Sequence, residues 1–243
     1  MKARCFALIP AAGIGSRTGT AIPKQYLPVA GYPMIVRTLA AFAAVEAIER
    51  VVVVIAERDG WFDDLAIDSS RVDVFRVGGA SRDATVANGL RTMRGMADDD
   101  DWILVHDAAR CGITPALIAA LIERVEGDDV GGLLALPLDD TVKRAALGTV
   151  DLHPSVAETI DRHGLWRAQT PQMFRYGLLR DAIADAHLRG IAMTDESSAI
   201  EIAGLRALLV PGSSRNFKVT TADDLAMMDR LLRTDAPSEN PPR

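Results

Sequence analysis

Residues 51–55 read Val-Val-Val-Val-Ile, five β-branched side chains in a row. Such residues are stiff at χ1 and disfavour a helix, and a strand with one wet face would alternate apolar with polar. The run therefore predicts a strand buried on both faces, which calls for a parallel sheet between two layers of helices. The rest of the chain repeats the demand. Apolar runs at 5–9, 72–77, 102–105, 130–136 and 206–210 read as further strands. Helical patterns fall between or after them, over 33–48, 81–93, from 114, 176–189, 196–203 and 221–233. Pro33 suits a first turn, Ser81 and Thr114 suit caps, and Thr221 with Asp224 has capping-box spacing. The order implies an α/β fold, its sheet mainly parallel, with right-handed crossovers and helices on both faces.

The pattern breaks over 137–165. Two short polar runs, 139–144 and 155–160, flank a turn containing Gly148. Neither carries enough apolar residues for a core of its own, so a hairpin arm covered by another subunit is expected. Residues 1–234 then form a single domain, and the Pro-rich polar tail 235–243 is expected to be disordered.

Ligands of such sheets bind beyond the strand C-termini. There the first strand feeds Pro10-Ala11-Ala12-Gly13-Ile14-Gly15-Ser16-Arg17, followed by Pro23-Lys24-Gln25-Tyr26-Leu27-Pro28. Small residues let backbone N–H groups form an anion nest, and Arg17 and Lys24 add full charges. That combination suits a polyphosphate. The dinucleotide fingerprint G-x-G-x-x-G fails, since position 18 is Thr, and no P-loop is present. The glycines alone fit a plain strand-to-helix turn; the two cations favour a nucleotidyltransferase loop. Gly78 and Gly79 follow the third strand, with Ala80, and with Thr85 one turn into the helix. They permit backbone approach to a base or ribose. His106-Asp107-Ala108-Ala109-Arg110 ends the fourth strand. Asp107 there suits Mg²⁺, which one carboxylate plus substrate phosphates can hold, or a cap; His106 reads as a structural hydrogen-bonder. Thr194-Asp195-Glu196 reads as a helix cap, Asn216 to Thr220 as a short strand-like run carrying Lys218, and Asp98 to Asp101 as a solvated loop.

The net charge of −6 argues against a duplex nucleic acid partner. Cys5 and Cys111 suggest neither a disulfide framework nor a metal site, so a reducing cytoplasm is the default. The run after Met1 is too short for a leader and reads as a strand, and no segment is long and apolar enough to span a membrane.

Taken together, the chain resembles the 2-C-methyl-D-erythritol 4-phosphate cytidylyltransferase family. The resemblance rests on Pro10 to Arg17, Pro23 to Leu27, Gly78-Gly79 with Arg82, Val105 to Arg110, Asp140 to Lys143, Asp161-Arg162 before Gly164-Leu165-Trp166, Gln169 to Gln172, Thr194 to Glu196, and Asn216 to Thr220. Cys111 stands where the family often has Pro, and Thr18 where it often has Met. The resemblance implies a Rossmann-like nucleotidyltransferase sheet. It implies CMP transfer from CTP to methylerythritol phosphate, with Mg²⁺, in a homodimer joined by the arms. It also implies roles. Arg17 and Lys24 stabilise the transition state, and Asp107 binds the metal. Arg162, acting across the dimer, and Lys218 position the acceptor. Arg110, Thr141, Thr170 and Thr194 lie at that substrate. Pro10, Ala11, Ala12, Gly13, Gly15, Gly79, Ala80 and Thr85 line the nucleotide. The competing readings are a ribitol 5-phosphate cytidylyltransferase, a nucleotidyltransferase using another base, an NAD(P)-dependent oxidoreductase with Glu57 as its ribose acid, and a non-catalytic nucleotide-binding regulator.

Overall fold

The computed structural model describes residues 3–13, 22–68, 70–146 and 154–234. In chain order the elements are β1 Cys5–Pro10, β2 Pro28–Val29, β3 Tyr32–Pro33, α1 Met34–Ala43, β4 Ile48–Val54, β5 Val72–Phe75, α2 Arg82–Thr92, β6 Trp102–Val105, α3 Pro115–Val125, β7 Gly131–Pro137, β8 Val142–Ala145, β9 Val156–Ile160, β10 Trp166–Arg175, α4 Tyr176–Leu188, α5 Glu196–Ile202, β11 Leu208–Pro211 and α6 Ala222–Thr234. Seven strands make one sheet, ordered β11-β7-β10-β6-β1-β4-β5. β1 is parallel to β4 and β6, β4 to β5, and β7 to β11; β10 runs antiparallel to both β6 and β7.

Successive residues of a strand point to opposite faces, and the buried side chains divide accordingly. Ala7, Ile9, Val51, Val53 and Leu104 pack with Ile35, Leu39 and Phe42 of α1 and with Ile118, Leu121 and Val125 of α3. Phe6, Leu8, Val52, Val54, Ile103 and Val105 pack with Val86 and Leu90 of α2, Leu179 and Ile183 of α4, and Ile200 of α5. A strand between two such layers has no wet side, which is why Val51 to Ile55 shows no alternation. Each fully buried aliphatic side chain contributes about 1.5–3 kcal/mol. Among the described residues, no helix is long and apolar enough to cross a membrane.

Three expectations need correction, and one strand lies outside those expected. The helix expected over 33–48 ends at Ala43, because Ile48 and Arg50 pair with Cys5 and Phe6 of β1 and begin the next strand. The longest strand, β10, is not apparent from apolar runs: its buried centre is Gln169-Thr170-Pro171-Gln172, with a cis Thr170–Pro171 peptide and a register shift against β7. Residues 217–220 form no strand. Finally, Asp98 to Asp101 is not simply solvated. Asp101 is buried and accepts from the Arg4 backbone N–H (2.8 Å) and guanidinium (2.6 Å), pinning the segment before β1 to the entry of β6.

The arm is a separate two-stranded sheet. β8 and β9 pair Val142 with Ile160 and Arg144 with Glu158. At its base the Leu165 carbonyl accepts from the Leu138 N–H at 3.0 Å. Val156 on this arm is 62 % exposed. The turn around Gly148 and the tail 235–243 lie outside the described residues.

Candidate active site

The C-terminal ends of β1, β5 and β6 meet at a cleft of about 550 Å³. Pro10, Ala11, Ala12, Gly13, Lys24, Gly79, Ala80, Thr85, Asp107 and Lys218 all line it, so the topology collects the residues that the sequence marked along the chain. Gly15 and Arg17 lie outside the described residues. The first loop is fastened at Ala11, whose N–H donates to the Val54 carbonyl at 2.8 Å and whose carbonyl accepts from Gln25 Nε2 at 2.8 Å. That second bond draws the turn carrying Lys24 onto the loop. The glycine pair answers first to the protein's own packing. A Cβ on Gly78 would lie 2.3 Å from Ala12 Cβ, and one on Gly79 would lie 2.6 Å from Ala84 Cβ. Thr85 Oγ1 accepts from the Gly79 N–H (3.0 Å) and donates to the Ser81 carbonyl (2.8 Å), so it shapes this loop from beneath.

Asp107 sits on the cleft floor with three cations. Arg82 Nε donates to Oδ1 at 2.7 Å, Lys218 Nζ is 2.8 Å from Oδ2, and Arg110 Nε is 3.6 Å from Oδ2. Burial alone would push the Asp107 carboxyl up; the charges of Arg82, Lys218 and Arg110 outweigh it and hold the group far below the usual carboxylate range. The other end of Arg82 forks onto Glu196, at 2.7 and 3.1 Å. Burial disfavours the Arg82 charge too, but Glu196 and Asp107 keep it firmly protonated.

His106 is fully buried, and burial pushes its imidazolium down to about 3. Its Nδ1 is 3.0 Å from Thr170 Oγ1 and its Nε2 is 3.3 Å from the Arg110 carbonyl. The Thr170 hydroxyl accepts from the Asp107 N–H at 3.1 Å. A neutral ring with Nε2 protonated satisfies all three bonds and fixes the turn from Asp107 to Arg110. His106 is therefore a support, as its place beside a strand end suggested. Thr170 is buried and shares that role.

The polar residues that concealed β10 hold the rest of the site. Gln172 Nε2 donates to Asp195 Oδ2 (2.8 Å), and its Oε1 accepts from the Ser197 N–H (2.7 Å), seating the start of α5. Gln169 Nε2 donates to the Ser213 carbonyl (2.9 Å). Asn216 Nδ2 donates to the Thr170 carbonyl (2.7 Å), and the Asn216 carbonyl accepts from Arg110 (2.9 Å). These bonds carry the segment that presents Lys218. Asp195 caps α5 in a capping box, as expected.

Some sequence-derived residues stand apart. Thr194 lines a small neighbouring pocket across Arg82 rather than the cleft. Thr141 and Arg162 are exposed on the arm. Arg110, mostly buried beside Asp107, does not line the cleft. Conversely, Arg82 and Glu196 belong to the site although the sequence singled out neither for a role; both occur inside quoted motifs, but no spacing rule links residues so far apart. Cys111 is buried beside Met34, Val219 and Met228, and burial raises its thiol to about 12, so it is unreactive at neutral pH. Among the described residues, no group of three or more His, Cys, Asp or Glu could hold a metal. A metal here would take Asp107 and draw its remaining ligands from substrate and water. An ionised carboxylate facing a cleft fits that need.

Known proteins resemble this chain in both sequence and fold. Residues 5–234 match the family described as 2-C-methyl-D-erythritol 4-phosphate cytidylyltransferase. Proteins of that name from Ralstonia nicotianae and Paraburkholderia phymatum are 52 % and 53 % identical to this chain. The alignments cover 97 % and 96 % of it, and 94 % and 98 % of the relatives. A crystal structure of 4-diphosphocytidyl-2C-methyl-D-erythritol synthase superposes with a TM-score of 0.83 at 38 % identity, covering 96 % of this chain and all of that one. The Francisella tularensis cytidylyltransferase gives 0.79 at 31 % identity, covering 94 % and 99 % of the two chains. A family match over residues 5–234, with relatives above half identity along nearly their whole length, shows that the chain belongs to the 2-C-methyl-D-erythritol 4-phosphate cytidylyltransferase family.

Proposed function

We propose that the protein transfers CMP from CTP to 2-C-methyl-D-erythritol 4-phosphate, giving 4-diphosphocytidyl-2-C-methylerythritol and pyrophosphate. The observation that carries this reading is the pairing, in one cleft, of the Ala11–Gly13 loop and Lys24 with Asp107 and Lys218. One half suits a triphosphate and the other an acceptor phosphate. The reaction forms a bond from an acceptor phosphate oxygen to the α-phosphorus and breaks the bond to the β-phosphate bridge. A phosphate monoester is largely dianionic at neutral pH, so its oxygen attacks without a general base. That matches a histidine locked neutral in the floor.

The obstacle is charge, because an anion approaches a polyanion and the pentacoordinate phosphorus gathers more. Catalysis is then positioning and electrostatic stabilisation. Loop N–H groups and Arg17 hold the triphosphate, Lys24 faces the α-phosphate, and Pro10, Ala80 and the Thr85-braced Gly79 border the nucleoside. Asp107 is the residue to hold Mg²⁺; when bound, the ion supplies charge neutralisation on the phosphate oxygens and eases pyrophosphate departure. Lys218 takes the acceptor phosphate, and CTP binds before the acceptor because the bound triphosphate completes part of the acceptor's site. Arg110 and Thr170 support that end of the cleft, with Thr194 beyond Arg82.

Thr141 and Arg162 sit on an exposed arm. We assign them to the acceptor site of a partner subunit in a homodimer, in a cytoplasmic setting. Pyrophosphate release with CTP and Mg²⁺, run with methylerythritol phosphate and in parallel with ribitol 5-phosphate, tests the assignment. Release with the former alone is the expected result. Release with ribitol 5-phosphate alone would keep the nucleotide half and discard the acceptor half.

A further inference from the structure

Arg82 could engage Asp107 in a stronger way than it does. Arginine and carboxylate prefer a bidentate fork, two parallel N–H···O bonds. Here the fork is turned away, spent on Glu196, and only Nε reaches Asp107, at a single oxygen. Oδ2 is left to Lys218 at 2.8 Å and Arg110 at 3.6 Å. Glu196 is held rigidly for this task. Its side chain is 2 % exposed, it opens α5, and the neighbouring Asp195 and Ser197 are both bonded to Gln172. Gln172 pairs with Val105, at the end of the strand that leads into Asp107. The carboxylate and its target are thus keyed to the same pair of strands, β6 and β10.

Resting on the reading of Asp107 and Lys218 above, we propose that Glu196 is a positioning residue that restrains Arg82, keeping it from closing its fork on Asp107 and so leaving Oδ2 available for exchange between Lys218 and incoming ligand. A buried ion pair is a weak source of net stability, and geometric control gives this one a role that stability alone does not. Without Glu196, the guanidinium would swing onto both oxygens of Asp107 and exclude Lys218. A lysine at position 82 has no fork, so it needs no such restraint.

The test follows from that asymmetry. In the pyrophosphate-release assay, Glu196→Gln should lose at least tenfold in kcat/KM while melting as a folded protein. In the Arg82→Lys background the same Glu196→Gln change should alter turnover by no more than about twofold. A tenfold further loss in that background would show Glu196 acting independently of Arg82 and overturn the proposal. Should Glu196→Gln alone fail to fold, the Arg82→Lys pair still decides. A crystal structure of Glu196→Gln, with ligand-free wild type beside it as the control, separates this inference from the functional reading. Arg82 found bidentate on Asp107 supports the restraint whatever the substrate, and Arg82 unmoved refutes it. A wild-type enzyme inert with both acceptors refutes the functional reading alone.

Discussion

The cleft floor and the arm are both rich in charge, and they use it in opposite ways. On the floor, Asp107, Arg82, Glu196, Arg110 and Lys218 converge in a largely buried cluster whose distances are fixed by β6, β10 and α5. On the arm, Arg144 meets Glu158 with both side chains more than half exposed, and Lys143 bonds Thr159 at 2.7 Å. Exposed pairs are worth little, whereas breaking a buried one leaves an uncompensated charge. The floor is therefore complete within one chain. The arm has a register but no core of its own; in the proposed homodimer a second copy would cover it. On the proposed reading, precision is built on the floor and the arm completes the site of a partner subunit.

The largest effect should come from breaking the floor. Asp107→Asn strands three cations and should destabilise the fold by about 3–5 kcal/mol, with turnover falling by roughly 10³; an unchanged melting temperature would show the cluster to be loosely coupled. Lys24→Ala should lower kcat by about 10²–10³ with little change in melting. Near-wild-type turnover there would remove Lys24 from the chemistry.

Arg162→Ala should cost about 10–10² in kcat/KM, less than a floor residue, by loss of one charge-assisted contact. Mixing subunits sharpens the comparison. Arg162→Ala and Lys24→Ala proteins, each weak alone, should regain activity when co-assembled, because one site of the heterodimer escapes both changes. No recovery would place Arg162 in its own subunit's site.

A smaller effect concerns pH. His106 has a folded pKa near 3, below its unfolded value of about 6.5. Between these values the unfolded chain binds the extra proton, so stability falls as pH drops from about 6.5 towards 3, by at most about 1.4 kcal/mol per unit. Chemical denaturation of wild type and His106→Asn across that window should show the variant with the flatter profile. Smallest of all, Glu158→Ala on the arm should change stability by less than about 1 kcal/mol.

The sheet was legible because burial on both faces forces continuous apolar runs, as at Val51 to Ile55 and Trp102 to Val105. The loop of Pro10 to Gly13, Lys24 and Asp107 was legible because parallel topology brings strand C-termini together. β10 escaped for a physical reason. Its central residues are polar because they bind the segments that carry Glu196 and Lys218, and Pro171 argues against an interior strand. The Arg82–Glu196 pair escaped because it depends on tertiary placement alone.

The central claim is that positioned cations, and no enzyme nucleophile or general base, carry the transfer. Stereochemistry at the α-phosphorus tests it most directly, using CTP with one non-bridging α-oxygen replaced by sulfur, in a single configuration. Direct attack by the acceptor phosphate is one displacement and inverts that centre. Inversion is the expected result; retention would require a covalent cytidylyl-enzyme and would contradict the mechanism.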